Sequence, residues 1–516
     1  MADDWKPELA ELEDRLALAR RMGGDEKVAR HHAAGKLTVR ERIDALLDRE
    51  SFREVGALAG RATYEEADLV DFVPANFVTG TGKIEGRPVV VGGDDFTVRG
   101  GAADAAIWQK MLHAERMANE LNIPLVRLVD GTGGGGSVKT LETMGATYVP
   151  AVPGWEICVD NLAKVPVVSL ALGSVAGLGA ARVVQSHYSV MVRGQSQVFV
   201  AGPPVVARAG EHVDKESLGG SHIHARNGVV DDEVATEEEA FAATRRFLSY
   251  LPASVDQLPP RTEANDDPAR ADEWLLGAIP RNRRQAYKIR PIIESVADHG
   301  SFFEVGRLFG RSIVTGLARL GGVPVAVMAG DPMFYGGGWT ADASQKVMRF
   351  VDLADTFHLP VIHLVDLPGF VVGTVSERAA TVRHGARAMA AIYQATVPWC
   401  SVILRRVYGI AGAAHQSTGR LSYRAAWPSG DWGSLPLEGG IEAAYRAQLE
   451  EAEDPESLLA EITERMEAVR SPFRTAERFG IEDIIDPRQT RSFLCGFAEL
   501  AAPTLRPGRT ARGMRP

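Results

Sequence analysis

Two stretches of this sequence repeat each other 250 residues apart. Residues 51–61 read SFREVGALAGR and residues 301–311 read SFFEVGRLFGR, which are identical at eight of eleven positions. Further matches lie at an offset of 236 and pair Pro88 with Pro324, Pro124 with Pro360, and residues 128–130 with residues 364–366. A repeat on this scale predicts two copies of one fold in a single chain.

Each copy contains short apolar runs separated by helical patterns, which indicates the α/β class. The 516 residues suit two domains of about 250 residues each better than one large core. Five prolines lie among charged residues between positions 251 and 285, as in a linker. We therefore predict an α/β fold with domains at residues 1–258 and 259–516.

Apolar residues at helical spacing predict one core-facing helix in each copy. The stripe consists of Met111, Ala114, Ala118 and Leu121 in the first copy and of Val347, Phe350, Ala354 and Phe357 in the second. A later helical pair, residues 441–449 and 455–469, occurs in the second copy alone. Asp454 is its expected N-cap, with Pro455 at the first helical position.

Charge and cysteine content exclude some classes of protein. The net charge of −10 disfavours a general nucleic-acid binder, which needs a basic surface. An anionic ligand would need a local cluster of Arg, Lys and helix N-termini to meet its phosphates. No apolar run reaches the roughly 18 residues that span a bilayer. The acidic N-terminus lacks a signal-peptide core, so we expect a cytoplasmic protein with buried, reduced thiols at its three cysteines.

The feature most informative about function is a glycine turn that occurs once in each copy. An apolar run opens at Pro166 and ends at Gly177, and another opens at Pro398 and ends at Gly409, eleven residues after the proline in both cases. A strand that runs into a small-residue turn and then a helix lets a substrate oxygen approach backbone N–H groups. Two such turns predict two oxyanions, and hence two reacting partners.

These features, together with several short motifs, resemble the carboxyltransferase (β) subunits of biotin-dependent acyl-CoA carboxylases. The motifs are GKLT at residues 35–38, AGPP at 201–204, LGGSHIHAR at 218–226 and IIDPRQTR at 484–491. The resemblance covers residues 30–495 and is closer to the methylcrotonyl-CoA carboxylase branch than to the propionyl-CoA carboxylase branch. It implies tandem duplicated crotonase-like (ClpP/crotonase) domains, with an acyl-CoA site in the first and a biotin site in the second.

The resemblance also implies a reaction and its partners. Carboxybiotin, carried on a separate biotin carboxylase/biotin carrier α subunit, would give up CO₂ to the α- or γ-carbon of an acyl-CoA enolate. No metal is implied in this chain. The family forms a homo-hexamer, a trimer of dimers, in which each site joins the first half of one subunit to the second half of another. The chain has no HExxH, GxSxG or P-loop lysine motif, which suits catalysis by backbone N–H donors.

By position, the resemblance assigns candidate site residues. The catalytic candidates are Gly177, Leu178, Gly409, Ile410, Ala411 and Gly412. The first two would bind the thioester oxyanion and the next two the biotin oxyanion, with Ala411 or Gly412 as the alternative donor if the register of the second turn is shifted. Leu178 and Ile410 replace small residues of the family, so their side chains must point away from the ligands. Substrate contacts are expected from Arg99, Gly100, Gly101, Gly133, Gly134 and Phe370.

Several alternatives stand beside this hypothesis. Residues 131–136 form a GxGxxG pattern, with Glu156 about 20 residues on, as in a Rossmann fingerprint. The corresponding loop at 366–370 lacks the pattern, which favours a loop beside CoA. His222 and His224 lack a third metal ligand and indicate a structural loop. Two other functions fit the scaffold, a biotin-independent acyl-CoA decarboxylase that uses only the Gly177 turn and a catalytically silent paralogue in a mixed hexamer.

Overall fold

The computed structural model describes residues 4–101, 107–131, 141–142, 144–264, 266–419, 421 and 423–516. The chain divides into two compact units, one of Met1–Gln257 with Ala511–Pro516 and the other of Leu258–Thr510. The last six residues therefore belong to the first unit, where Gly513 lies against Ala163, and not to the second as the sequence-based division has it.

The first unit is built on a mixed sheet. Its strands are β1 (Arg53–Val55), β2 (Gly60–Glu65), β3 (Asp68–Pro74), β4 (Phe77–Ile84), β5 (Arg87–Asp94), β6 (Leu125–Val129), β7 (Val167–Ala171), β8 (Ser174–Ala176), β9 (Tyr188–Val192), β10 (Gln197–Phe199) and β11 (Asp232–Val234). The main sheet has the order β1-β4-β5-β6-β7-β9-β11, antiparallel up to β5 and parallel from there on. β2 pairs with β3, and β8 pairs with β10.

The second unit repeats this sheet. Its strands are β12 (Phe303–Val305), β13 (Ile313–Leu320), β14 (Val323–Gly330), β15 (Val361–Leu367), β16 (Trp399–Tyr408), β17 (Tyr423–Ala426), β18 (Asp431–Gly433) and β19 (Asp483–Ile484). The order is β12-β13-β14-β15-β16-β17-β19, with β18 paired to β16. Strand for strand, the order and directions match those of the first unit. The predicted duplication within an α/β fold is confirmed.

Helices connect the strands of both units. In the first unit they are α1 (Lys6–Arg20), α2 (Asp25–Ala33), α3 (Val39–Leu46), α4 (Trp108–Leu121), α5 (Trp155–Asn161), α6 (Leu178–Val184), α7 (Pro203–Val206), α8 (Lys215–Gly219), α9 (Ser221–Asn227) and α10 (Glu237–Tyr250). In the second they are α11 (Ile289–Val296), α12 (Ala341–Thr356), α13 (Thr374–Arg378), α14 (Thr381–Gln394), α15 (Gly409–Ala413), α16 (Leu437–Ala444), α17 (Arg446–Glu451), α18 (Pro455–Val469), α19 (Pro472–Ala476) and α20 (Thr490–Ala501).

The core of each unit lies between its sheet and its helices. Every residue of β6, β7 and β15 is buried, as expected for parallel strands covered on both faces. The predicted stripe packs onto the sheet in both units, with one exception. Leu121 is the last residue of α4, where the chain turns away through Asn122, and it is 57 % exposed. Its counterpart Phe357 is buried, so the prediction is wrong for Leu121 alone.

The predicted ends of the helices largely agree with those in the structure. Asp454 caps α18 through a bond from the Ser457 N–H at 3.0 Å, as predicted. The preceding predicted helix is instead two short helices, α16 and α17, divided at Tyr445.

The three cysteines are buried and free. No helix within the described ranges has the length and apolarity needed to cross a bilayer.

Candidate active site

The first glycine turn lies between β8 and α6. Gly177 has φ +59° and ψ −122°, a backbone conformation that residues with a side chain rarely adopt. No described atom beyond its neighbours in the chain lies within 4 Å of the place where its Cβ would be. Gly177 therefore serves the path of the chain, and the space beside it is open.

The two donors predicted at this turn differ in their surroundings. The Gly177 N–H donates to the carbonyl of Phe199 at 3.3 Å, because β10 runs beside β8. Leu178 is the first residue of α6, where N–H groups have no intrahelical acceptor. Its side chain is half-buried. The N–H that remains available at this turn is thus the one of Leu178, whereas that of Gly177 is already engaged.

The second turn has the same design. Gly409 has φ +63°, and the only described atom near its missing Cβ is the Ser434 carbonyl oxygen at 3.8 Å. Ile410 is 67 % exposed, so its side chain lies at the surface rather than in the core. Ala411 is fully buried, and a Cβ on Gly412 would come within 2.9 Å of the Val407 backbone. Gly409 and Ile410 face the open side, while Ala411 and Gly412 pack against β16.

A buried charge network lies beneath the first turn. The Arg42 guanidinium contacts Asp130 at 3.0 Å and Glu237 at 2.8 Å, and it donates to the carbonyl of Leu172 at 3.1 Å. Lys36 Nζ lies 3.4 Å from Asp130. Burial alone would lower the pKa of Arg42, but Glu237 and Asp130 raise it above its ordinary value. The network ties α3 and α10 to the ends of β6 and β7, and β7 leads through β8 into the turn.

The second unit anchors the equivalent strand end in the same way. Asp366 lies at the end of β15 and is fully buried, and it contacts Arg405 at 2.9 Å and Arg406 at 2.8 Å. Sequence reasoning matched Asp130 with Asp366 but did not predict their arginine partners. Those partners come from different segments, so only the repeated aspartate signalled a shared role.

The tripeptide Arg99–Gly101 forms a tight left-handed turn. Its φ angles are +54°, +64° and +68°. Tyr335–Gly337, at an offset of 236, repeats it with +49°, +62° and +88°. A Cβ on Gly101 would stand 3.0 Å from the carbonyl oxygen of Asp130, which explains why glycine is needed there. The turn is therefore part of the duplicated fold in both units, a repeat that the sequence did not predict.

Arg99 lines a cavity of about 590 Å³ in the first unit. Arg21, from the end of α1, and Lys27, from α2, lie on the same cavity wall, and Asp71 is its one acidic lining residue among the described residues. Apolar residues of β3, with Leu18, Met22 and Val98, form most of the remaining wall. Such a group of cations is of the kind that an anionic ligand needs, and the sequence did not reveal it because Arg99 is distant in the chain from Arg21 and Lys27.

The remaining candidates have varied outcomes. Phe370 is half-buried in the second unit, where its ring meets Trp339 at a centroid distance of 6.2 Å and packs against Gly385 of α14. Those contacts are packing contacts. Gly133 and Gly134 lie outside the described residues. His224 Nε2 bonds the carbonyl of Val198 at 2.8 Å. No group of three or more metal-ligating side chains occurs within the part of the chain that the structure describes.

In each of two repeated α/β units, then, a left-handed glycine leads from a strand into a short helix beside open space. Such a scaffold is suited to reactions that pass through oxyanions. Comparison with known proteins identifies the class. The profile of the family described as "Carboxyl transferase domain" matches residues 30–514.

Individual relatives agree with the profile. The propionyl-CoA carboxylase beta chain of Roseobacter denitrificans is 34 % identical over 94 % of both chains. The methylmalonyl-CoA decarboxylase subunit alpha of Veillonella parvula is 31 % identical over 93 % of both. A solved structure of transcarboxylase 12S with methylmalonyl-coenzyme A bound superimposes with a TM-score of 0.88 at 29 % identity, and it covers 100 % of this chain and 99 % of its own.

The chain belongs to the carboxyl transferase domain family. It is a carboxyltransferase of the biotin-dependent acyl-CoA carboxylase class, and its fold is the predicted pair of crotonase-like halves. The three relatives above are propionyl-CoA and methylmalonyl-CoA proteins. The closer affinity to the methylcrotonyl-CoA branch that the sequence suggested therefore gains no support from them.

Proposed function

We propose that this chain transfers CO₂ from carboxybiotin to an acyl-CoA by way of a thioester enolate. The observation that carries the proposal is the repeated turn. Gly177 and Gly409 have the same left-handed φ at equivalent places of two sheets with the same strand order. A reaction with two oxyanions needs two sets of donors, and each unit supplies one.

In the first unit, the Leu178 N–H is the proposed donor to the thioester oxygen. This oxygen gains negative charge as the enolate forms, and one preorganised donor of this kind is typically worth about 10²–10³-fold in rate. The Gly177 N–H can join it only by exchanging its bond to Phe199, which at 3.3 Å is long for an N–H···O bond. The structure thus favours Leu178 over Gly177 as the principal donor.

The cavity beside Arg99 is the proposed site for the phosphates of CoA. Arg21 and Lys27 line it together with Arg99, and its apolar wall is suited to the nucleotide base. Gly100 and Gly101 are proposed to contribute by forming the left-handed turn that carries Arg99 to the cavity. Gly133 and Gly134 remain proposed contacts on the strength of the resemblance alone.

The second turn is the proposed biotin site. The open space at Gly409 and the outward side chain of Ile410 fit a planar ureido ring, whose oxygen the N–H groups of Gly409 and Ile410 would meet. When bound, carboxybiotin supplies CO₂ and then a base for the α-proton of the acyl group. Ala411 and Gly412 hold the turn against β16 and take no direct part. Phe370 supports the neighbouring loop through Trp339 rather than contacting substrate.

The partners follow from the same class. We propose that carboxybiotin arrives on a separate biotin carboxylase/biotin carrier subunit, as the name "beta chain" of the Roseobacter relative suggests. We further propose that the chain assembles as a homo-hexamer, because the transcarboxylase 12S structure is described as a hexamer.

A decarboxylation assay tests the proposal. Purified protein would be incubated with malonyl-, methylmalonyl- and methylglutaconyl-CoA, with and without free biotin, and mass spectrometry would follow the loss of CO₂. Loss that depends on biotin is the expected result and would also name the substrate class. If none of the substrates lost CO₂ and the protein bound no acyl-CoA, the proposal would be refuted. The chain would then be a catalytically silent paralogue.

A biotin-independent decarboxylase is the second candidate, and one relative is named as a subunit of a methylmalonyl-CoA decarboxylase. Loss of CO₂ at the same rate without biotin would establish it. The open space at Gly409 and the outward position of Ile410 speak against it, since a chain without a biotin site has no reason to keep the second turn accessible.

A further inference from the structure

We infer that Arg127 and His363 are equivalent positioning residues, each of which fixes the far end of the short helix that follows its glycine turn. The inference rests on the proposed function, because it is the N-terminal N–H groups of these helices that are proposed to meet the oxyanions. Neither residue was singled out by sequence, since each is one polar side chain inside an apolar strand.

The two residues occupy the same place in the duplicated sheet. Arg127 of β6 pairs in register with Ser169 of β7, and His363 of β15 pairs in register with Ser401 of β16. The offsets are 236 for the first residue of each pair and 232 for the serines, the same offsets that relate the two halves elsewhere. All four side chains are buried.

In the first unit, Arg127 acts on the C-terminal end of α6. Its Nη1 donates to the carbonyl of Arg182 at 3.0 Å and to that of Gln185 at 2.6 Å. The Ser169 hydroxyl donates to the same Arg182 carbonyl at 3.0 Å. The last carbonyls of a helix have no partner within it and carry partial negative charge, so a buried guanidinium is well suited to hold them.

The charge of Arg127 is itself compensated. Glu115 accepts two bonds from it, at 2.7 and 2.8 Å, and Asn161 donates to Glu115 at 3.0 Å. Burial alone would raise the pKa of Glu115, but the adjacent Arg127 holds it below its ordinary value. The guanidinium is therefore locked in place while one of its nitrogens remains directed at α6.

In the second unit, a neutral ring acts on α15 through His415, which lies two residues beyond the end of that helix. His363 Nδ1 donates to the carbonyl of His415 at 2.8 Å, and Trp399 Nε1 donates to the same oxygen at 3.1 Å. His415 Nδ1 in turn donates to the carbonyl of Gly412 at 2.7 Å. Burial lowers the pKa of His363 to about 4 and that of His415 to about 3, so both rings are neutral at physiological pH.

The geometry gives a reason for holding these helices at their C-terminal ends. Gly177 and Gly409 have no side chain that could anchor the front of either helix, and the space there must stay open for substrate. α6 is only about 10 Å long, so a tilt at its C-terminal end displaces the N–H groups at its start. A displacement of 1 Å at a reacting centre can cost on the order of a hundredfold in rate.

The test uses the full-length protein and variants of His363. His363→Leu removes the donor, and His363→Asn keeps one near the position of Nδ1. Ser401→Ala is the matched control, because Ser401 is equally buried and adjacent in register, and its hydroxyl has no hydrogen-bond partner among the described residues. Arg127→Lys tests the first unit. It keeps the charge beside Glu115 but removes the guanidinium, whose several N–H groups donate to Glu115 and to α6 at the same time.

Two measurements distinguish a positioning role of these residues from a general effect on the stability of the protein. In hydrogen–deuterium exchange, we expect His363→Leu to speed exchange about tenfold or more in residues 409–413 but not in 178–184, with the reverse pattern for Arg127→Lys. In the biotin-dependent assay, we expect kcat to fall about tenfold to a hundredfold with KM for acyl-CoA unchanged. His363→Asn should recover most of the loss, and Ser401→Ala should match the wild type.

The outcomes are distinct. Variants with a lowered melting temperature but wild-type exchange in the two helices and wild-type kcat would overturn the inference and leave a structural role. Equal loss in His363→Leu and His363→Asn would also overturn it, since the donor would then not matter. If the wild type showed no carboxyl transfer, the proposed function would fail, while the exchange experiment would still decide whether the two residues hold the helices.

Discussion

At Gly177 the backbone, rather than a contact, limits which residue can be present. The combination of φ +59° and ψ −122° is almost confined to glycine, and holding another residue there costs about 1–3 kcal/mol. Because the space beside it is open, an alanine would meet no clash among the described atoms. The cost of substitution would therefore be strain, relieved by a shift of the neighbouring Leu178 N–H.

We predict that Gly177→Ala lowers kcat for carboxyl transfer about tenfold to a hundredfold and lowers the free energy of unfolding by about 1–3 kcal/mol. Steady-state kinetics and urea denaturation would measure both. Gly496→Ala is the control, because Gly496 is an exposed helical position with no described atom within 4 Å of its missing Cβ and no positive φ. An unchanged kcat in Gly177→Ala would remove this turn from the mechanism.

A second prediction at the scale of one residue concerns Lys110. Its pKa makes the free energy of unfolding depend on pH. Burial lowers its pKa from 10.5 to about 8, although Glu54 partly offsets this. Below pH 8 the folded chain bears the full cost of the buried charge. Between pH 8 and 10.5 the unfolded chain binds more protons than the folded one, so the free energy of unfolding rises with pH.

We therefore expect Lys110→Met to stabilise the protein by about 3 kcal/mol at pH 7, with a gain that shrinks between pH 8 and 10.5. Urea titrations at several pH values would show this. The equivalent Lys346 donates to the carbonyls of Phe309 and Ile313 at 3.0 and 2.9 Å. Lys346→Met should be destabilising instead, and a gain there would contradict the reasoning.

At the scale of elements, the N-terminal helices acquire a role that their sequence did not reveal. α1 and α2 are mostly exposed and contribute little to the core. Their junction nevertheless brings Arg21 and Lys27 to the cavity that Arg99 lines. Cations on a cavity wall contribute to binding a polyanion through charge, which salt screens.

We predict that the double variant Arg21→Gln/Lys27→Gln raises KM for acyl-CoA about tenfold, leaves kcat unchanged and loses its effect at high salt. An acyl-pantetheine, which lacks the nucleotide, should be turned over equally by variant and wild type. Arg30→Gln is the matched control, since Arg30 lies on α2 but pairs with Glu26 at 2.8 Å outside the cavity. An equal change in KM for acyl-pantetheine would place the nucleotide elsewhere.

At the scale of the whole molecule, the duplication makes a complementation experiment possible. Gly177→Val and Gly409→Val should each abolish transfer, because a β-branched residue at positive φ is strongly disfavoured. If each site combines the first half of one subunit with the second half of another, as the resemblance implies, hexamers mixed from both variants contain intact sites.

We expect such mixed hexamers, co-expressed with two affinity tags and purified through both, to regain about a quarter of wild-type activity on random mixing. Native mass spectrometry would confirm that they are hexamers of both chains. A mixture that stays inactive would show that each site is completed within one chain. Hexamers of either variant alone serve as controls and should stay inactive.

Much of the architecture was predictable because it depends on local or repeated signals. The apolar runs of β6, β7 and β15, the cap at Asp454 and the glycines at 177 and 409 are each encoded by neighbouring residues. The duplication then presented these signals twice and predicted that the second half repeats the fold of the first. Where a helix ended, the local signal failed, and Leu121 proved to be exposed although its spacing predicted burial.

By itself, then, the sequence determined the class, the two repeated units and the positions of both turns. Only the tertiary structure decided which atoms are available within them. The pairing of β10 with β8 engages the Gly177 N–H and leaves the one of Leu178. Folding brings Arg21, Lys27 and Arg99 to one cavity and directs Arg127 and His363 at the ends of two helices. Because the contacting groups are distant along the chain, no local sequence pattern predicts contacts that depend on the order of the strands.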